Sequence, residues 1–121
     1  MVATPTGHFT NGFGTRWCAC HGAVAAAPNI TYTNLPYMTD AGAACGEGSV
    51  NNPGTLDGVS IVEGHELAEA ITGPLLNAWF DNQGFEIGDK CAWINLHNIA
   101  TSRGNFAVQP LWSNRISGCA G

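Results

Sequence analysis

Charged side chains, and cations above all, are scarce in this sequence. Charged residues make up 11% of the 121 positions, whereas an average globular chain has roughly 25%. Lys90 is the single lysine, and three arginines accompany it, so that the formal net charge is −5. A chain with so few cations offers no basic surface, and we therefore expect it to bind neither nucleic acid nor an anionic membrane.

The sequence also lacks a long apolar run and the common nucleotide and nucleophile motifs. No stretch approaches the roughly 20 apolar residues of a membrane span. There is no Gly-x-Ser-x-Gly elbow, no phosphate loop and no dinucleotide fingerprint. Met1 leads directly into polar, glycine-rich sequence without a signal peptide. We therefore expect a mature form, or an excised part, of a secreted protein.

Five cysteines stand in this short, lysine-poor chain, which indicates an oxidising compartment. Neither the spacing of Cys18 and Cys20 nor the remaining spacing fits a zinc ribbon. Two disulfides and one free thiol are the simplest account, and we expect Cys20, if it is unpaired, to be buried rather than nucleophilic. Residues 38–58 form a loop long enough to need a tether, which a disulfide at Cys45 would supply.

The stretch from Ser60 to Pro74 predicts a short helix. Ser60, with Glu63 three positions later, has the pattern of a capping box. Gly73 followed by Pro74 is a stop signal. We expect the apolar run Pro74–Phe80 to pack beneath this helix.

The centre of the predicted helix carries the residues that point to chemistry. His65 and Glu69 stand four positions apart, which places their side chains on one helical face. Glu66 directly follows His65, so its side chain lies on an adjoining face of the helix. An imidazole and a carboxylate in register, beside a second carboxylate, form half of a metal site that carries its own general base. A histidine in such a helix is also commonly a surface residue or a hydrogen-bonded core residue, so both interpretations stay open.

A second acidic group lies further along the chain. Six of the nine acidic residues fall between Glu63 and Asp89, and a metal ion is a reasonable counter-charge in a chain with so few cations. A catalytic zinc needs three protein ligands and an open position, of which the helix supplies two. The candidates for the third ligand are Glu86, Asp89, His21 and His97. Among these, His97 is expected to be structural, and the segment Glu86–Asp89 fits a solvated turn equally well.

Two other kinds of function fit the same residues. The carboxylates could hold a structural cation or a hydrogen-bond network in a non-catalytic extracellular binding or signalling module. Alternatively, Glu66 or Glu69 could act with Glu86 to hydrolyse a glycan along a tryptophan-lined groove. The tryptophans are most simply core residues, namely Trp17, Trp79, Trp93 and Trp112.

The order of the elements predicts a small single domain over residues 1–121, of the α+β or α/β class. Residues 1–16 are expected to form an irregular or edge segment, and a strand interrupted by proline is expected over Phe106–Asn114. The predicted architecture is a central His-Glu-x-x-Glu helix packed on a short β-sheet, with long loops tied by disulfides.

Several of these stretches together resemble a known family. Gly64–Pro74, Asn77–Asp81 and Glu86–Cys91 are similar to a set of secreted microbial proteins, which are in turn similar to the plant Exordium or phosphate-induced proteins. Trp17–Gly22 and Gln109–Asn114 fit the same pattern, so that the resemblance covers roughly residues 17–119. It implies a zincin-like domain that corresponds to the C-terminal half of the usual protein, with an N-terminal half or a propeptide outside this chain.

This sequence departs from the family pattern at two positions. The pattern has Asp or Asn where this chain has Gly73, so a cation-binding role for that side chain is lost here. The family also tends to carry an aromatic residue in place of Cys20. The resemblance therefore implies that Cys20 is the odd thiol and that the disulfides are Cys18–Cys45 and Cys91–Cys119.

The leading hypothesis is a secreted zinc-dependent hydrolase, of the metallopeptidase type, that acts on a peptide or a cell-wall-associated substrate. His65 and Glu69 would bind zinc, and Glu86, ahead of Asp89 and His21, would complete or orient the ligand shell. Glu66 would be the catalytic residue that accepts a proton from the attacking water. This hypothesis requires the segment Glu86–Asp89 to fold back against His65.

Overall fold

The computed structural model describes the backbone of residues 1–121 and every side chain except those of residues 28 and 29. Within this described chain, the fold has one α-helix, α1 (Asp57–Thr72), and seven short strands. The strands are β1 (Val2–Ala3), β2 (Cys20–Val24), β3 (Ala27–Leu35), β4 (His97–Thr101), β5 (Gly104–Val108), β6 (Leu111–Ser113) and β7 (Gly118–Ala120). Short 3-10 helices span Met38–Asp40, Gly42–Cys45 and Asp89–Cys91. The molecule is thus a small mixed α/β domain, as the sequence predicts. The described residues include no helix with the length and hydropathy of a membrane span.

The strands form small sheets rather than one large sheet. In the three-stranded sheet β3 is central, parallel to β1 and antiparallel to β2. β4 pairs with β5, and β6 pairs with β7, both antiparallel. α1 contacts β2, β3 and β5, so the helix touches two of these sheets.

β5 and β6 confirm the strand predicted over Phe106–Asn114, and the interruption falls at Pro110, which has no N–H to donate to a ladder.

α1 begins at Asp57, three residues before the predicted capping box of Ser60 and Glu63. The carboxylate of Asp57 accepts hydrogen bonds from the N–H groups of Val50 (2.8 Å) and Asn51 (2.7 Å). It also accepts a bond from the side-chain amide of Asn51 (2.7 Å). These bonds tie the preceding loop to the first turn of the helix, where a negative charge suits the helix dipole. The capping-box prediction is therefore wrong.

Ser60 and Glu63 make contacts with neighbouring strands instead. The hydroxyl of Ser60 donates to the carbonyl of Ala107 in β5 (2.6 Å). The hydroxyl of Thr33 in β3 donates to Glu63 Oε1 (2.7 Å). Both polar side chains thus attach the helix to the sheets, which explains their place inside the helix. At the other end, α1 stops at Thr72 before Gly73, as predicted.

The buried core joins α1 to the three-stranded sheet and the first 3-10 helices. Its buried members are Ala19, Leu35, Met38, Cys45 and Val62. The disulfide Cys18–Cys45 runs through this core, and the disulfide Cys91–Cys119 links the last 3-10 helix to β7. These are the two pairs that the family resemblance implies.

Cys20 is free and exposed, so the expectation of a buried thiol is wrong. It directly precedes His21 in β2, and side chains alternate between the two faces of a strand. Because His21 faces α1, the side chain of Cys20 faces the opposite way.

The apolar run after α1 does not pack beneath the helix, contrary to expectation. Leu75, Leu76, Trp79 and Phe80 are 48%, 54%, 61% and 52% exposed. Leu76 and Trp79 have φ values of 56° and 60°, so the chain turns sharply instead of forming a regular element with a buried face. The expectation of tryptophans in the core is wrong as well, because Trp79 and Trp93 are both exposed.

Candidate metal centre

α1 brings His65, Glu66 and Glu69 into one largely buried cluster. Glu66 and Glu69 are 8% and 3% exposed, which is costly for carboxylates unless they are paired or bind a cation. Nε2 of His65 lies 3.2 Å from Oε1 of Glu69, a contact that the four-residue spacing on one helical face permits.

His21, in β2, lies at the centre of this cluster. Its Nδ1 is 3.1 Å from Glu66 Oε2 and 3.5 Å from Glu69 Oε2. Its Nε2 is 3.3 Å from Glu86 Oε2. In the sequence His21 ranks behind Glu86 and Asp89 as a ligand, because nothing local indicates that residues 45 positions apart meet. The one local signal is the alternation of side chains in β2, which turns His21 toward α1.

The acidic turn Glu86–Asp89 folds back against α1. The N–H groups of Gly88 and Asp89 donate to Glu69 Oε1, at 3.1 and 3.0 Å. Oδ1 of Asp89 lies 3.4 Å from Nε2 of His65. The approach to His65 that the hydrolase hypothesis requires is therefore present in the structure.

Gly88 allows this close approach because it has no side chain. A Cβ at this position would lie 2.8 Å from Cγ of His65 and 2.9 Å from Oε1 of Glu69. The carbonyl of Gly88 accepts a hydrogen bond from the buried amide of Gln109 (2.9 Å). The disulfide Cys91–Cys119 anchors the same turn a few residues later.

The cluster contains two groups of potential metal ligands that share Glu69. Each group has one imidazole and two carboxylates whose ligand atoms lie within 4.8 Å of one another, namely His65, Glu69 and Asp89, and His21, Glu69 and Glu86. Glu86, which the sequence argument pairs with His65, lies beside His21, and Asp89 lies beside His65. His97, in β4, belongs to neither group.

Glu66 and Glu86 lie on opposite sides of an imidazole. Glu66 contacts Nδ1 of His21, and Glu86 contacts Nε2. The paired carboxylates of a glycosidase flank an open space that holds the sugar and, in inverting enzymes, a water molecule. Here His21 occupies that space, so this arrangement does not support glycan hydrolysis by Glu66 with Glu86.

The cluster carries more negative charge than the cations around it can balance. Its four carboxylates are those of Glu66, Glu69, Glu86 and Asp89. Among the side chains that the structure describes, no lysine or arginine forms an ion pair with them. Lys90 directly follows Asp89, but its ammonium group pairs with Asp81 at 2.7 Å. The two imidazoles are thus the only groups of the cluster that can carry a positive charge.

The pKa values of the cluster reflect this imbalance. Burial opposes protonation of His65, but its hydrogen bond to Glu69 and the charges of Glu69, Glu66 and Asp89 raise the pKa of His65 to about 9. Burial raises the pKa of Glu66, and burial together with the charge of Glu69 raises that of Glu86. Burial also acts on Glu69, but the hydrogen bond and charge of His65 lower its pKa below the ordinary value. A proton on His65 therefore supplies positive charge when no metal does.

A cleft of about 420 Å³ opens beside the cluster. Its lining includes His65, Glu66, Asp89, Arg16, Trp93 and Gln109. Of the two ligand groups, the one formed by His65, Glu69 and Asp89 thus reaches the cleft, through His65 and Asp89.

The separations within the His65 group suit a divalent cation. Two ligands at 2.0–2.2 Å from a tetrahedral zinc ion lie about 3.3–3.6 Å apart. Nε2 of His65 is 3.2 Å from Glu69 Oε1 and 3.4 Å from Asp89 Oδ1. One imidazole nitrogen with two carboxylates is a donor set that zinc accepts. The residues present therefore fit the metal that the sequence argument proposes.

Two curated plant proteins match part of this chain. It is 33% identical over 96 residues to Protein EXORDIUM-like 3 of Arabidopsis thaliana, a match that covers 60% of this chain and 28% of the plant protein. It is 30% identical over 90 residues to Protein EXORDIUM-like 5 of the same plant, which covers 54% of this chain and 25% of the plant protein. The matches support an Exordium relationship. The chain spans about a quarter of the length of these relatives. No family model and no solved structure matches it.

Proposed function

We propose that this protein is an extracellular zinc-dependent hydrolase of the metallopeptidase type. The observation that carries the proposal is the buried cluster of carboxylates beside a cleft, which no lysine or arginine among the described side chains neutralises. The two disulfides and the relationship with Exordium-like proteins support the extracellular location.

His65, Glu69 and Asp89 would hold the zinc ion. When bound, the ion would polarise the scissile carbonyl and lower the pKa of a water molecule in the cleft. The N–H groups of Gly88 and Asp89 fix the carboxylate of Glu69, and Gln109 fixes Gly88 in turn. Asp89 takes the place that the sequence argument gives to Glu86, because Asp89 is the carboxylate of the turn that contacts His65.

Glu66 would accept the proton of the attacking water. It lines the cleft next to His65, and burial raises its pKa above the ordinary value, which makes its carboxylate a stronger base. Trp93 and Arg16 line the same cleft. They would offer an apolar surface and a cation to a peptide or a cell-wall-associated substrate.

Glu66→Gln tests this role. The amide cannot accept the proton, so we expect hydrolysis to fall by about 10²–10⁴-fold while zinc remains bound. The readouts are zinc content by mass spectrometry and kcat/KM on a library of fluorogenic peptides. Glu63→Gln is the matched control, because it removes a carboxylate from the same helix whose partner is Thr33 and not the cluster. It is expected to retain full activity.

Two results would contradict the proposal. One is a folded wild-type protein that takes up less than one equivalent of zinc or hydrolyses no peptide. The other is a Glu66→Gln protein that hydrolyses peptides as fast as the wild type does.

A non-catalytic extracellular binding module is the second candidate. The observation that favours it is the pair of backbone N–H bonds that Glu69 Oε1 accepts from Gly88 and Asp89, because a structural carboxylate network makes such bonds without a metal. In that case, the melting temperature of chelator-treated protein would not change when zinc is added. The hydrolase is expected to gain stability from zinc by mass action.

An N-terminal half or a propeptide outside this chain is proposed as its partner. The family resemblance of the sequence implies this segment, and the chain spans about a quarter of the length of the matched relatives. The exposed apolar side chains after α1, such as Leu76 and Trp79, offer a surface that such a segment could cover.

A further inference from the structure

One ring nitrogen of His21 has no hydrogen-bond partner. The side chain is 7% exposed, and its Nε2 lies 3.3 Å from Glu86 Oε2 without making a hydrogen bond to it. Oε1 of Glu86 is likewise buried and without a partner. Buried polar atoms in native proteins almost always have a partner. The unpartnered Nε2 of His21 therefore leaves a position for another group between this nitrogen and Glu86 Oε2.

The contact between Glu66 and Nδ1, the other ring nitrogen of His21, limits which kind of group can bind at Nε2. An ionised Glu66 can only accept a hydrogen bond, so the proton of a neutral His21 lies on Nδ1, 3.1 Å from Glu66 Oε2. Nε2 then directs a lone pair toward Glu86 Oε2. Two acceptors at 3.3 Å repel each other unless a cation or a proton lies between them. Metal-binding histidines commonly have their second nitrogen held by a carboxylate in this way.

The distances around His21 suit a cation. The 3.3 Å between His21 Nε2 and Glu86 Oε2 equals the separation of about 3.3–3.6 Å between two ligands of tetrahedral zinc. Glu69 completes the group. Its Oε2 lies 3.5 Å from Nδ1 of His21, and the ligand atoms of His21, Glu69 and Glu86 all lie within 4.8 Å of one another. Its Oε1 lies 3.2 Å from Nε2 of His65. The two oxygens of Glu69 thus face the two ligand groups separately.

The negative charge of the cluster also favours two divalent cations. With both imidazoles neutral, the four carboxylates of Glu66, Glu69, Glu86 and Asp89 carry a charge of −4. One divalent cation leaves −2 in a largely buried site without a paired lysine or arginine among the described side chains. A second divalent cation brings the total to zero.

Building on the proposed function, we propose that the cluster is a two-metal centre in which Glu69 bridges the ions. One divalent cation binds His65, Glu69 and Asp89, and the second binds His21, Glu69 and Glu86. Such pairs lie about 3.5–4 Å apart in two-metal hydrolases. One nitrogen and two oxygens per ion suit zinc and also manganese. None of the residues that would bind the second ion lines the cleft, so its role would be to orient Glu69 and to balance charge.

The test counts metal ions on the full chain after treatment with a chelator. Zinc titration by calorimetry, with metal content from mass spectrometry, is expected to give two equivalents for the wild type and one for Glu86→Gln or His21→Ala. Glu63→Gln is the control and is expected to bind two. Manganese gives an independent readout by electron paramagnetic resonance. The wild type is expected to show the spectrum of a spin-coupled pair, and Glu86→Gln that of a single ion.

The outcomes separate this inference from the proposed function. One equivalent in both the wild type and Glu86→Gln shows that the two-metal centre is wrong while the hydrolytic site stands. No bound metal in the wild type contradicts both proposals. Two equivalents in Glu86→Gln show that the second ion is not bound by this residue, which also overturns the assignment. Circular dichroism checks folding, and Glu86→Gln decides alone if His21→Ala does not fold, because its amide keeps the size of the carboxylate.

Discussion

At the scale of single residues, Glu69 connects most parts of the candidate site. Its Oε1 accepts hydrogen bonds from the N–H groups of Gly88 and Asp89 and faces His65. Its Oε2 faces His21. Burial opposes its ionisation, but His65 lowers its pKa below the ordinary value. Glu69 therefore remains negatively charged at neutral pH, which suits a residue that holds the acidic turn and that we propose as a metal ligand.

The two glycines inside α1 allow a matched prediction about packing. A Cβ on Gly58 would collide with the carbonyl oxygen of Cys45, whereas a Cβ on Gly64 would meet nothing within 4 Å. Gly58→Ala is expected to lower the free energy of unfolding by about 1–3 kcal/mol, because the backbone must move to relieve the overlap. Gly64→Ala is expected to raise it by about 0.5–1 kcal/mol through helix propensity.

Urea unfolding measures both glycine variants. Each serves as the control for the other, since both add one methyl group to the same helix. Equal effects of the two substitutions would contradict the close contact between α1 and Cys45.

At the scale of elements, the loop before α1 packs on its first turn, and the acidic turn after α1 completes the candidate site. The acidic turn Glu86–Asp89 supplies two of the carboxylates and is held by Gln109. The loop before α1 is held by Asp57 through Val50 and Asn51. The disulfide Cys91–Cys119 and a backbone hydrogen bond from Trp112 to Ile87 (2.9 Å) also hold the acidic turn. The side-chain bonds are therefore one part of what positions these loops.

The bonds of Asp57 predict how stability depends on pH. Burial opposes ionisation of Asp57, but the bonds from Asn51 and Val50 lower its pKa below the ordinary value. A carboxylate with a lowered pKa in the folded state stabilises the fold above its unfolded pKa of about 3.9, and this contribution is lost as pH falls through the folded value. Asp57→Asn is expected to cost about 1–3 kcal/mol at neutral pH.

Urea unfolding of the wild type and Asp57→Asn over a range of pH checks this prediction. The difference between the two proteins is expected to shrink as pH falls below about 4, because protonated Asp57 is neutral like asparagine. A difference that stays constant down to about pH 2 would show that the charge of Asp57 does not contribute.

At the scale of the whole molecule, two disulfides support a fold with a small core and several small sheets. Cys18–Cys45 lies in the core, and Cys91–Cys119 ties the acidic turn to β7. Removal of a native disulfide from a small secreted domain typically costs about 2–5 kcal/mol. The second disulfide therefore contributes both to the stability of the fold and to the position of Asp89.

Replacing Cys91 and Cys119 together by serine tests this double role. We expect stability to fall by about 2–5 kcal/mol and zinc affinity to fall as well, because Asp89 is only two residues from Cys91. Thermal unfolding and zinc titration are the measurements. Cys20→Ser is the control and is expected to change neither value, since Cys20 is exposed and unpaired. Unchanged zinc affinity in the double variant would show that hydrogen bonds alone hold the turn.

The features that the sequence by itself determined are local ones. An α-helix has 3.6 residues per turn, so the spacing of His65 and Glu69 is sufficient to bring their side chains together. Gly73 and Pro74 are sufficient to end the helix. The cysteine pairs followed from a family resemblance and not from a physical argument. The mixed α/β class followed from the order of local patterns along the chain.

Only the tertiary structure decided which carboxylate meets which imidazole. His21 and Glu66 are 45 positions apart, and Glu69 and Asp89 are 20 positions apart. These contacts arise because β2 and the acidic turn both pack against α1, and no pattern within a few residues encodes that packing. For the same reason Ser60 looks like a helix cap in the sequence but bonds to β5 in the fold. Local geometry repeats with a fixed period, whereas long-range contacts depend on how the whole chain closes.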